Sequence, residues 1–90
     1  MNKPRRKQIE EIMKQIEELQ NQMECLMDEI ESVYDEESEY MDNIPENLQG
    51  SERYERAEAA CDALEAARDS LEESKDTLDE VLSSLEEACE

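Results

Sequence analysis

The chain has 90 residues and a net charge of −19, with charged side chains at 41% and aromatic ones at 3%. So short a chain buries only a modest share of its surface alone, and with one Gly, two Pro, no Trp and no Phe it suits long exposed helices and not a sheet or an enzyme-sized globule. The surplus of carboxylates attracts basic surfaces and repels nucleic acid and anionic lipid, so neither direct nucleic-acid binding nor membrane binding is expected.

The chain opens Met1-Asn2-Lys3-Pro4-Arg5-Arg6-Lys7 with no apolar run behind it, which predicts neither a secretory leader nor a membrane span and points to the cytoplasm. Pro4 suits a first helical turn, where its missing N–H would have had no partner. From there Ile9, Ile12, Ile16, Leu19, Met23, Leu26, Ile30 and Val33 recur at alternating steps of three and four, the a and d columns of a heptad. Met13, Met27, Tyr34 and Met41 add a third column at e, where Gln20 is the polar member. The apolar face is therefore wider than a two-stranded seam requires. One partner helix covers a and d, so the e column is expected to await a third or fourth helix. Met13, Met27 and Tyr34, with Cys61 and Leu82 from the second half, form that expected oligomer face. The pattern frays at Glu37, an a position, and Pro45 disfavours helix at Ile44, which predicts an end near Met41 to Asn43.

Pro45 opens a short corner through Glu46, Asn47 and Leu48, closed by Gly50, which is free to take a positive φ, and by Ser51 as an N-cap with Glu52 in the first turn. Ile44 and Leu48 are expected to plug this end. Ala57, Ala60, Leu64, Ala67, Leu71, Leu78, Val81, Leu85 and Ala88 then continue the same spacing, with Ser74 the one polar member and Cys61, Leu82 and Cys89 at e. In an antiparallel hairpin, residues whose numbers sum to about 94 face each other. Large side chains such as Val33 and Ile30 then meet smaller Ala60 or Leu64 near the corner, and Ile9, Ile12 and Ile16 meet Leu85, Val81 or Leu82, and Leu78 at the open end. The prediction is a single all-α unit, 1–90: an antiparallel two-helix coiled-coil hairpin with helix 4–42, turn 43–51 and helix 52–89. Its wide apolar face allows dimerisation into a four-helix bundle. Arg5, Arg6 and Lys7 would lie beside Glu86, Glu87 and Glu90 as an electrostatic clasp.

Acidic residues are not scattered. On the second helix the b column is Glu58, Glu65, Glu72, Asp79 and Glu86, and the f column holds Glu55, Asp62, Asp69, Asp76 and Glu90. Like charges four apart, such as Glu58 and Asp62, cost a helix ~0.2–0.5 kcal/mol per pair. The first helix adds Glu10, Glu17, Glu24 and Glu31 at b, and between Lys14 and Arg53 there is no base at all. A helix shaped only for solubility mixes both signs. A line of carboxylates along a rod of roughly 58 Å approaches a nucleic-acid strand in sign and charge density. The candidate partner-binding set is Asp35, Glu36, Glu39, Asp42, Glu46, Glu55, Glu58, Asp62, Glu65, Asp69, Glu72 and Asp76.

Other chemistries find no footing. Cys25, Cys61 and Cys89, without a CxxC pair or any His, form neither a zinc nor a disulfide framework and are expected to be reduced thiols. Asp35 to Asp42 lacks the central Gly of an EF-hand loop, and an open two-helix rod offers no pocket to drive two carboxyl pKa values apart. No enzyme activity, catalytic residue, cofactor or metal is expected.

The Arg5-Arg6-Lys7 start, the heptad helix, the corner Asp42-Asn43-Ile44-Pro45-Glu46-Asn47-Leu48-Gln49-Gly50-Ser51-Glu52-Arg53-Tyr54-Glu55 and the Ala/Glu-rich second helix together resemble small acidic helical proteins encoded by phages and prophages of Gram-positive gut bacteria. The likeness covers nearly the whole chain, and the corner is its most specific part. In style, though through no motif, the chain is also similar to phage inhibitors of host defence that imitate DNA, anti-CRISPR and anti-restriction proteins among them. The expectation is an inhibitor acting in the cytoplasm of a bacterial host on a basic, nucleic-acid-binding protein such as a CRISPR or restriction nuclease. The competing expectation is a structural or assembly coiled coil that takes a partner helix, or a second copy as a homodimer, on its apolar face.

Overall fold

The computed structural model describes residues 1–90. Two helices, α1 (Lys3–Asp42) and α2 (Glu52–Ala88), run antiparallel, joined by a single 3-10 turn at Glu46–Leu48. The hairpin measures 70 × 15 × 12 Å. The helix bounds lie within a residue of those predicted from the pattern.

Each end has a local cause. Asn2 caps α1, its side-chain oxygen accepting from the Arg5 N–H at 2.9 Å, and Pro4 occupies the first turn. Asn43 and Ile44 close the other end by donating to Glu39 and Met41 carbonyls at 3.1 Å each, after which Pro45 forces extended backbone. Ser51 caps α2, its Oγ accepting from the Tyr54 N–H at 3.3 Å. Ile44 plugs the corner and is buried, whereas Leu48 is 47% exposed and does not. Gly50 has no positive φ, so the corner does not call on its special freedom.

The helices meet along a different pair of columns from the one predicted. On α1 the inward-facing residues are Ile9, Met13, Ile16, Gln20, Met23, Met27, Ile30, Tyr34, Glu37 and Met41, and on α2 they are Tyr54, Ala57, Cys61, Leu64, Arg68, Leu71, Lys75, Leu78, Leu82 and Leu85. These are the a and e columns. Met27 at 7% and Cys61 at 5% exposure are among the most buried side chains of the chain. Met13, Met27, Tyr34, Cys61 and Leu82, expected to face a further helix, therefore fill the hairpin's own seam. The d column is left outside instead: Ile12 is 42% exposed, Leu19 46%, Leu26 49%, Val33 50% and Tyr40 41%.

Alternating steps of three and four describe a,e as well as a,d, which is why the periodicity alone did not separate them. The polar members of the e column do. Gln20 is buried at 8% exposure, and its amide donates to the Lys75 carbonyl at 3.2 Å and to the Asp79 carboxylate at 2.7 Å. Lys75 and Arg68 lay their stems in the seam and carry their charges out to Glu24 and Glu31.

Candidate functional site: a two-faced rod with an acidic side

Successive residues turn by about 100° around a helix, so with the seam centred between a and e the d column emerges on one side and the b column on the other. An antiparallel pair is related by a twofold axis normal to the plane of its two helices. Like columns of both helices therefore appear on the same broad face. The contacts agree: Tyr40 and Arg53, both d positions, meet through a hydrogen bond from the guanidinium to the phenol oxygen and a stacking distance of 5.4 Å. On the opposite face, b acids of one helix meet e groups of the other, as in Glu24 with Lys75 and Asp79 with Gln20.

One face is thus predominantly acidic. Its b columns are Glu10, Glu17, Glu24 and Glu31 on α1 and Glu58, Glu65, Glu72, Asp79 and Glu86 on α2. The f columns lie about 40° further round; on α2 they widen the line into an acidic ribbon, whereas on α1 they carry Lys7, Lys14 and Asn21 before Asp28, Asp35 and Asp42. Every residue of the predicted partner-binding set is exposed. The structure divides that set, however. Asp35, Asp42, Glu55, Glu58, Asp62, Glu65, Asp69, Glu72 and Asp76 share the acidic face, Glu46 sits in the corner, Glu36 at g belongs to the opposite face, and Glu39 at c lies on the outer edge of α1, away from α2.

Bases neutralise little of this surface. The ion pairs are Arg56 with Glu52, Arg68 with Glu31, Asp69 and Glu72, and Lys75 with Glu24. Arg68 is the hub: its Nη1 reaches Glu72 at 3.2 Å, while its buried Nε has no acceptor in hydrogen-bonding range, Glu31 standing 3.6 Å away. None of these pairs lies at the open end, so the expected clasp of Arg5, Arg6 and Lys7 on Glu86, Glu87 and Glu90 does not form. At a frayed, fully wet terminus such pairs gain too little to hold long side chains in place. Acids of this face are unpaired at both ends of the rod, Asp35, Asp42, Glu55, Glu58, Asp62 and Glu65 toward the corner and Glu10, Glu17, Asp76, Glu86 and Glu90 toward the open end.

The same region raises the Tyr34 phenol above its ordinary value, chiefly through the Glu65 charge and then through burial. Burial raises the Cys61 thiol, with Glu37 next in effect. Glu24 is held below the usual carboxylate value by the hydrogen bond from Lys75, which is raised in turn by the same bond. No arrangement of acid and base surrounds a common point. The surface hollows are open grooves, and no three His, Cys, Asp or Glu side chains converge as metal ligands. No helix is long and apolar enough to cross a membrane.

Sequence reasoning found the acids and missed the exposed d stripe, whose signal was present in the cations. Arg68 and Lys75 both stand at e, and a long basic side chain beside a neighbouring helix's acids marks a seam edge. Family models, curated proteins and solved structures offer no match to this chain.

Proposed function

We propose that this chain is a phage-type binding protein that occupies the nucleic-acid groove of a basic bacterial host protein, such as a CRISPR or restriction nuclease, and blocks it by presenting carboxylates in place of phosphates. The observation that carries this reading is the unpaired acidic ribbon running from the corner along α2, where Glu55, Glu58, Asp62 and Glu65 are exposed and meet no base. Successive charges follow at about 5 Å of rise, against about 3.4 Å for phosphates along one strand.

Stability does not account for that placement. Glu39 and Asp42 stand in the last turn of α1, which has no base, where each opposes the helix dipole at a typical cost of ~0.3–1 kcal/mol. Glu52 and Glu55 at the start of α2 act in the favourable sense and offset part of this. Of the bases at the seam edge, Lys75 turns to Glu24 on α1 and only Arg68 reaches the outer rails, at Asp69 and Glu72.

The test is capture from host lysate with immobilised protein at low and high salt, in competition with duplex DNA, alongside a Glu58→Lys, Glu65→Lys, Glu72→Lys variant. Those changes move the net charge from −19 to −13, two units per substitution. The expected result is a nucleic-acid-binding protein that DNA displaces, that releases as salt rises, and that the variant no longer holds. Capture that survives both molar salt and charge reversal would eliminate the mimicry. The exposed d column favours a second reading, an assembly module that receives a helix on its apolar face, and in that case the same variant keeps its partner.

A further inference from the structure

The d columns of both helices lie on the face opposite the acidic ribbons. Its large members are Ile12, Leu19, Leu26, Val33 and Tyr40 on α1, each between 41% and 50% exposed. They stand one per heptad over about 42 Å of the 70 Å rod. Beside them α2 offers Ala60, Ala67, Ser74 and the 39%-exposed Val81. We infer that this face binds a second copy of the chain, making a four-helix bundle whose interface is the d stripe and whose acidic faces both point outward.

Charge selects the occupant. The d and g columns of the two helices together carry Arg5, Arg53 and Arg56 against Glu29 and Glu36, a sum of +1 within a chain of net −19. Gln8, Gln15, Gln22, Ser70, Thr77 and Ser84 fill most of the remaining g positions. A strongly anionic chain meets its like only where it is locally near neutral, and this is that place. The acidic faces of the two copies would be separated by the full thickness of the bundle, well beyond the ~8 Å screening length of physiological salt.

The area is sufficient. The five large α1 side chains and Val81 leave on the order of 80 Å² each, roughly 500 Å² per copy. Two copies bury about 1,000 Å² from these alone, and the small residues between them carry the total into the range of about 1,200–2,000 Å² typical of stable interfaces.

Shape sets the orientation. A twofold axis along the rod lays α1 of one copy over α2 of the other, so that Leu19, Leu26 and Val33 settle over Ser74, Ala67 and Ala60 of the second copy, and Glu36 lies level with the second copy's Arg56. The alternative twofold, across the rod, stacks α1 on α1 and large side chains on large. Interdigitation favours the first, with both corners at one end.

The experiment is sedimentation of the full chain over a concentration series at low and high salt. The expected mass is twice the 10.5 kDa of one chain, with tighter association at high salt because the repulsion of two −19 chains outweighs the few attractions that salt also screens, the opposite of the salt response proposed for the basic partner. Leu19→Gln with Leu26→Gln is expected to return the monomer while circular dichroism stays helical, and Glu58→Gln with Glu65→Gln to leave the pair intact. A monomer at every salt and concentration, or a dimer indifferent to the leucine changes, overturns the inference. Spin labels at Asn47→Cys, with the native cysteines replaced by alanine, are expected close together; a separation approaching the 70 Å length of the rod overturns the orientation.

Discussion

Neighbouring residues Met27 and Leu26 test the seam directly, because they differ little in size and lie on different columns. Met27 is 7% exposed inside the hairpin, whereas Leu26 is 49% exposed on the d stripe. Truncating a buried Met to Ala removes its transfer energy and leaves a cavity, typically ~2–5 kcal/mol. Only four apolar residues of the hairpin are buried at all, so such a loss is a large fraction of the stability of a small domain. Leu26→Ala deletes about three methylene equivalents at ~0.8 kcal/mol each, but half of that surface is already wet. The cost falls to ~1 kcal/mol, and the better helix propensity of Ala offsets a little more. Urea unfolding followed by circular dichroism at 222 nm, at concentrations low enough for a monomer, is expected to rank Met27→Ala well below Leu26→Ala. Equal losses, or the reverse order, would mean that the helices pack through a and d after all. Raising the concentration should then enlarge the Leu26→Ala penalty alone, since that side chain becomes buried only between copies.

Two further outcomes follow from the electrostatics. Glu24 has a folded-state pKa held below 4.5, first by the Lys75 hydrogen bond, so the stability it contributes is fully present above 4.5 and is lost as pH falls through the lower folded value. The difference in thermal midpoint between the parent chain and Glu24→Gln is therefore expected to shrink as pH falls below 4.5, and a difference that stays constant from pH 7 into that acid range would contradict the reasoning. At the other extreme, Cys61 and Tyr34 are raised above 9.0 and 10.0, so the unfolded chain ionises first and stability is lost as pH climbs through those values. An Ellman titration at neutral pH should find exposed Cys25 reactive and buried Cys61 slow until denaturant is added; equal rates would place Cys61 outside the seam.

How much of this was legible follows from what a heptad encodes. The two helices, their ends and the corner are local matters of spacing, Pro45 and the Ser51 cap, and residue order specifies them. The antiparallel register was also readable, and Gln20 with Lys75 and Tyr40 with Arg53 confirm it at both halves of the rod. Which two of three adjacent columns meet was not legible in the apolar periodicity, because a lies at the centre of the apolar face and pairs equally well with d or e; only the cations Arg68 and Lys75 at e marked the seam edge. That choice depends on interactions between the helices, which single-helix spacing does not contain. The expected clasp failed for a related reason: proximity of opposite charges along the sequence diagram says nothing of the entropy of long side chains at an exposed end. The acids themselves were plain to read, but their division between two faces required the seam.

The choice of e over d also explains why one hairpin can carry two surfaces. A seam through d would bury Leu19 and Leu26 and expose Met27 and Cys61, and it would turn Arg68 and Lys75 away from Glu31 and Glu24. With the seam through e, those two cations pair with b acids of α1 at the interface edge, where partial burial makes each pair worth more than on the open surface. The arrangement offsets part of the charge repulsion between the helices and, on α2's outer ribbon, reaches only Asp69 and Glu72. It also gathers the strongest remaining hydrophobes, Leu19, Leu26 and Val33, on the face that carries almost no net charge. The proposed self-association together with the proposed presentation of carboxylates requires that separation, since a hydrophobic stripe on the acidic side would bring like charges together. Moving a single acid across, as in Ser74→Glu, should therefore weaken pairing of copies far more than adding the same acid at Ser83 on the f ribbon. Sedimentation of the two variants, equal in net charge, separates the effect of position from that of charge, and equal weakening would show that total charge alone governs association.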